Sequence, residues 1–194
     1  MDISTDAVKA LRDKTGVSVM QCRKALEEAN GDPEQALVIL RKRSAGAAEK
    51  KADRELGAGA IGVYTHEGVI GAMVLLSSET DFVAKNPEFA QLAREIAMQV
   101  AATNPTYLST DDIASEAKDA AVKVFEKEVE GKPEDMKAKI LEGKIASYFK
   151  DQVLLEQPYI KDEGKTVKDL VNEATQKFGE RVELTKFTRF SARG

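Results

Sequence analysis

The chain has 194 residues, 42% hydrophobic and 32% charged, which is the profile of a globular protein. Its net charge of −4 argues against a general nucleic-acid coat, and no apolar run approaches the roughly 18 residues of a membrane span. One cysteine, Cys22, excludes an intrachain disulfide and suits a reducing, cytoplasmic setting, while one histidine, His66, leaves no Cys/His zinc set. The first 15 residues carry acidic charges and no long apolar core, so no signal peptide is expected.

Residues 1–54 read as a module of three short helices. Ser4 or Thr5 caps the first, with Val8 and Leu11 on one face, and Thr15-Gly16-Val17 breaks it. Ser18 with Gln21 reads as a capping box for the second. There Cys22, Ala25, Leu26 and Ala29 share the inner face and Met20, Arg23, Lys24 and Glu27 point outward. Asn30-Gly31 ends it, and Asp32-Pro33 opens a third helix with Ala36, Leu37 and Leu40 inward. So little buried surface suits a recognition module rather than a catalytic one. Met20 beside Arg23 is either a scattered surface residue or a contact.

Residues 41–59 read as a solvated helical linker, because Glu49, Asp53 and Glu55 interrupt its positive charge. Gly57 to Gly62 matches G-x-G-x-x-G. A dinucleotide site needs that pattern after a strand and at a helix start, and here it opens a strand, so no nucleotide site is assigned.

Residues 55–194 read as a larger domain. Ile61 to Tyr64, a turn containing His66, and Val69 to Leu76 form an expected hairpin. Next comes Glu79-Thr80-Asp81-Phe82-Val83-Ala84-Lys85-Asn86. A strand-to-helix connection should be polar, yet this one sets Phe82 beside Asp81. Phe82 either folds back as core or stands out as a wedge with a charged neighbour. A helix is expected from Pro87 to Ala102 with Phe89, Leu92, Ile96 and Val100 inward. Ser109 caps another start, and Ile113–Glu130 reads as a helix with Ala117, Ala121, Val124 and Phe125 inward. After a break at Gly131-Lys132-Pro133, residues 134–150 read as a helix with Ile140, Leu141, Ile145, Tyr148 and Phe149 inward. Val153–Ile160 reads as extended, Thr166 caps a helix ending near Gly179, and Arg181–Phe190 reads as a strand. That strand pairs with the hairpin, giving an α+β class with a three-stranded antiparallel sheet covered by helices. No P-loop, His-Glu-x-x-His or Gly-x-Ser-x-Gly is present, so no catalytic residues and no cofactor are expected. A binding protein is expected.

Several of these stretches resemble one family. Met20-Gln21-Cys22-Arg23-Lys24-Ala25-Leu26, Ala29 to Asp32, Glu79 to Asn86, Glu130 to Pro133, Glu142-Gly143-Lys144, Leu154 to Pro158 and Phe187 to Phe190 are similar to motifs of translation elongation factor Ts. The resemblance covers essentially the whole chain. It implies a ubiquitin-associated-like first module and a guanine-nucleotide exchange factor for elongation factor Tu. Phe82 would then be the wedge, Asp81 would disturb the Mg²⁺ surroundings, and Thr80 and Val83 would hold the loop's shape. Met20, Arg23 and Lys51 would contact the nucleotide-binding domain of Tu. Long members carry two related subdomains and a protruding helical hairpin. This chain has one strand-hairpin unit and is expected to lack that insertion, so a homodimer is expected in place of the second subdomain. Arg23 stands where lysine is usual and Ser18 where glycine is usual. The competing expectation is a protein-interaction module that binds through the helical bundle without driving exchange.

Overall fold

The computed structural model describes residues 3–129 and 133–193. Glu130, Gly131 and Lys132, which belong to an expected break and a family motif, lie outside the described residues.

The first three helices are α1 (Thr5–Thr15), α2 (Val19–Glu28) and α3 (Pro33–Glu49). Their starts follow the capping chemistry. Ser4 Oγ accepts from the Ala7 amide at 3.2 Å, and Asp32 Oδ1 accepts from Glu34 and Gln35 with Pro33 at the first position. Gly16, at φ 68°, closes α1 in the left-handed conformation that glycine adopts without strain. Val8, Leu11, Cys22, Ala25, Leu26 and Leu40 share one core, as the helical spacing requires.

Two expectations about this module are corrected. Ser18 accepts from the Gln21 amide, but Gln21 does not complete a capping box: its Oε1 accepts from Gln176 Nε2 at 2.9 Å. Nor is the segment after residue 41 simply a solvated linker. α3 continues to Glu49 and lies along a later helix, α8 (Val167–Phe178), where Ser44 is buried and hydrogen-bonds Leu40 O and Gln176. The small side chains of Ser44, Ala47 and Ala48 let the two helices approach.

The larger unit is built on strands β1 (Ala58–His66), β2 (Ile70–Ser78) and β5 (Val182–Ser191), antiparallel in the order β1-β2-β5. Both hairpin strands are longer than expected, because pairing with β2 carries Ala58-Gly59-Ala60 into the sheet despite weak strand propensity. Glu67 and Gly68, both at positive φ, make the turn. One face of the sheet, with Ala72, Val74, Leu76 and Leu184, packs on α5 (Pro87–Thr103) through Phe89, Ala93, Ile96 and Val100. Gly62 makes this close approach possible, since a Cβ there would sit 2.1 Å from the Ala93 carbonyl oxygen. The last glycine of the G-x-G-x-x-G pattern thus serves packing. A bulge opposite Leu75 and Leu76 leaves Thr185 unpaired in the ladder, and its Oγ1 meets Ser77 Oγ at 3.0 Å. Beyond the bulge Arg189 turns inward, and its Nε donates to Ala101 O near the end of α5.

The remaining segments depart further from expectation. Ser109 caps a 3-10 turn, Thr110–Asp112, and α6 (Ser115–Glu128) begins after it. α6 and α7 (Glu134–Lys150), the two helices expected at 113–130 and 134–150, form an antiparallel pair around Ile113, Ala121, Phe149 and Val153. Val124 and Tyr148, expected inward, are exposed, because two helices cover only a narrow stripe of each other. Val153–Ile160 is not one extended run. It holds a 3-10 turn, Leu154–Glu156, and the two-residue strand β3 (Pro158–Tyr159), which pairs with β4 (Asp162–Thr166). β4 was not legible as a strand because its Asp-Glu-Gly-Lys start has no apolar alternation. Buried Gln99 anchors this hairpin, donating to Gln157 Oε1 and Pro158 O and accepting from the Ile160 amide.

Candidate functional site

β2 ends in the buried pair Ser77-Ser78, and the chain then leaves the sheet through Glu79 and Thr80. The expected loop is in fact a single helical turn, α4 (Asp81–Ala84), followed at once by Asn86, whose Oδ1 caps α5 from the Glu88 amide at 2.9 Å. In a helical turn neighbouring side chains stand about 100° apart around the axis, so one can face the core while the next faces solvent. Val83 is 3% exposed and belongs to the main core, while its neighbour Phe82 is 83% exposed. Between the two readings of Phe82, the structure excludes the core one.

Asp81 is also exposed, with Lys85 Nζ 2.6 Å from Oδ2 one turn on. That hydrogen bond, together with the lysine charge, holds the Asp81 carboxyl below the ordinary aspartate range. Thr80 is the helix's first flanking residue, yet its side chain does not cap α4. Its Oγ1 donates to Glu180 Oε1 at 2.6 Å and its amide to Glu180 Oε2 at 3.0 Å.

Glu79 stands at the root of the turn. It accepts from the Arg181 amide and from Arg54 Nη1 at 3.1 Å. The Arg181 N–H is the main cause of a lowered Glu79 pKa; Arg54 and the nearby Lys51 charge add to it against some desolvation. Arg181 also donates through Nη1 to the Arg54 carbonyl. Lys51 is therefore close to this root.

Met20 is 69% exposed on α2, next to exposed Val19, and Arg23 pairs with Glu27 at 3.2 Å. Among the described residues neither the Met20 nor the Arg23 side chain makes a hydrogen bond or ion pair with the turn. Both patches adjoin the carboxyl end of α8. Gln21 reaches Gln176, Lys177 ion-pairs with Glu88 at 2.9 Å, and Glu180 holds Thr80. Glu180, Arg181, Arg54 and Glu79 were missed as site residues. A signal existed: once the last strand pairs with β2, the residues just before it must lie beside those just after β2.

A sequence model of the family described as Elongation factor TS matches residues 48–193. The elongation factor Ts of Thermodesulfovibrio yellowstonii is 45% identical over 191 residues, covering 98% of this chain and 96% of that protein. The elongation factor Ts of Thermotoga maritima gives the same identity and coverage, and that of Coprothermobacter proteolyticus is 42% identical over 194 residues, covering 98% of both. The chain belongs to the elongation factor Ts family. It is thereby placed among the elongation factors of protein biosynthesis. Among the described residues no helix is long and apolar enough to cross a membrane.

Proposed function

We propose that this chain drives GDP release from elongation factor Tu, binding the nucleotide-free state more tightly than the GDP-bound one. By linkage, it then weakens GDP by the same factor. The observation that carries this reading is the exposure of Phe82 on a rigid turn whose next residue, Val83, is sealed in the core. An exposed aromatic on a fixed support has little to contribute to folding and much to insertion between a partner's side chains. Phe82 is the wedge at the Mg²⁺ and phosphate side of the Tu nucleotide site. Asp81, ionised at neutral pH, perturbs the Mg²⁺ surroundings; its pair with Lys85 is exposed and screened by solvent, so it gives way on contact. Thr80 and Val83 hold the turn.

Residues 1–54, a ubiquitin-associated-like bundle, dock on the nucleotide-binding domain of Tu through Met20, Arg23 and Lys51, and residues 55–194 carry the wedge. The factor works in the cytoplasm, binds no nucleotide itself and needs no cofactor. It acts as a homodimer. The sheet face away from α5 carries Ile61, Val63 and Met73, with Phe190 at 72% exposure, an apolar ladder across all three strands. A second copy covers that ladder by an isologous contact. Release of labelled GDP from purified Tu tests the reading. Substoichiometric acceleration supports exchange, and binding without acceleration supports an interaction module instead.

A further inference from the structure

Building on the exchange reading, we propose that Glu180 is a positioning residue that sets the Phe82-bearing turn in its inserting shape before the partner arrives. α4 has four residues, far below the length at which a helix holds itself in water. It is held from outside at three points. Ser78 Oγ donates to Thr80 O at 3.0 Å, Val83 is buried in the core, and the Glu180 carboxylate accepts two hydrogen bonds from Thr80. The last is the stronger of the two polar points, because the acceptor is a carboxylate and both of its oxygens are used.

Glu180 is itself well fixed. It lies between Gly179, whose φ of 73° ends α8, and Val182, the first residue of β5 and the partner of Ser78. Helix and sheet thus place its backbone from both sides, and the carboxylate spans from one strand end to the other. Thr80 is exposed, so in the free protein water replaces the lost bonds and the fold barely senses the loss. The cost appears on binding. A turn left loose must be ordered at the encounter, which weakens the complex without altering what Phe82 does once seated.

The test measures GDP release from Tu over a range of concentrations of the full-length chain, for wild type, Glu180→Ala, Glu180→Gln, Thr80→Val and the double variant Thr80→Val/Glu180→Ala. Glu180→Ala should raise the half-saturating concentration about tenfold while the maximal rate stays within about twofold. Glu180→Gln, which keeps one acceptor oxygen, should fall between, and the double variant should be no worse than Glu180→Ala alone. Hydrogen exchange of the Thr80 amide in the free protein should quicken at least about tenfold in Glu180→Ala. An unchanged half-saturating concentration, a fall in maximal rate alone, or additive effects in the double variant would overturn the proposal. Failure of the wild type to accelerate release would instead reject the exchange reading. In that event the Thr80 amide decides the clamp by itself, and unaltered exchange in Glu180→Ala would refute it.

Discussion

Phe82 and Phe89 differ by seven positions and by everything that matters energetically. Phe89 is fully buried against Phe178, edge to face at 5.7 Å, and truncating it to alanine should cost about 3–5 kcal/mol. Phe82→Ala should move stability by no more than about 0.5 kcal/mol, because the side chain packs on nothing that folding needs. Thermal unfolding of the two variants side by side makes the comparison. Val83→Ala belongs with Phe89, at about 2 kcal/mol for a buried branched side chain. Asp81→Ala should leave the melt unaltered and weaken exchange, and its effect should not add to that of Phe82→Ala, since adjacent groups acting on one region couple. The residue pattern alone left Phe82 undecided. Hydrophobicity says inside, and only the one-turn geometry, with Val83 taking the inward place, sends it out.

At the scale of elements, the root of the turn is tied by charge. The Glu79 carboxyl is held below the ordinary glutamate range by the Arg181 amide and by Arg54. A group whose folded pKa is depressed stabilises the fold above its unfolded pKa, and that contribution disappears as the pH falls through the folded value. The melting-temperature gap between wild type and Glu79→Gln should therefore be widest near neutrality and close on acidification below the ordinary glutamate range. A gap that widens in acid would contradict the clamp. Gly62→Ala tests the other contact that seats the site, α5 on β1, and overpacking against Ala93 should cost about 1–3 kcal/mol. Caps and strand pairing were legible because they are local or follow from alternation: Ser4 and Asp32 cap where expected, and β5 joins β2. The β3–β4 hairpin and the Glu180 contact were not, since both depend on which distant polar residues the fold brings together. The burial of Ser44 against α8 was hidden for the same reason, as an alanine-rich charged stretch reads equally as solvated.

In the whole molecule, α8 joins the two surfaces assigned to the partner. Gln176 meets α2, and Glu180 meets the turn. Removing residues 1–54 would strip α8 of α3 and Glu79 of Arg54, so loss of binding in that truncation would mix with loss of stability. Met20→Ala with Arg23→Ala is cleaner: both side chains are exposed, and the pair should weaken Tu binding about tenfold or more with an unchanged melt. Light scattering at micromolar concentration should give twice the 21.2 kDa chain mass, and Phe190→Asp should shift it toward the single chain. The most direct measurement is the rate of labelled-GDP release from Tu at saturating factor, comparing wild type with the Asp81→Ala/Phe82→Ala variant. Large acceleration by the wild type and near-loss of it in a variant that still melts like the wild type is the predicted result. Full acceleration by the double variant would contradict the account.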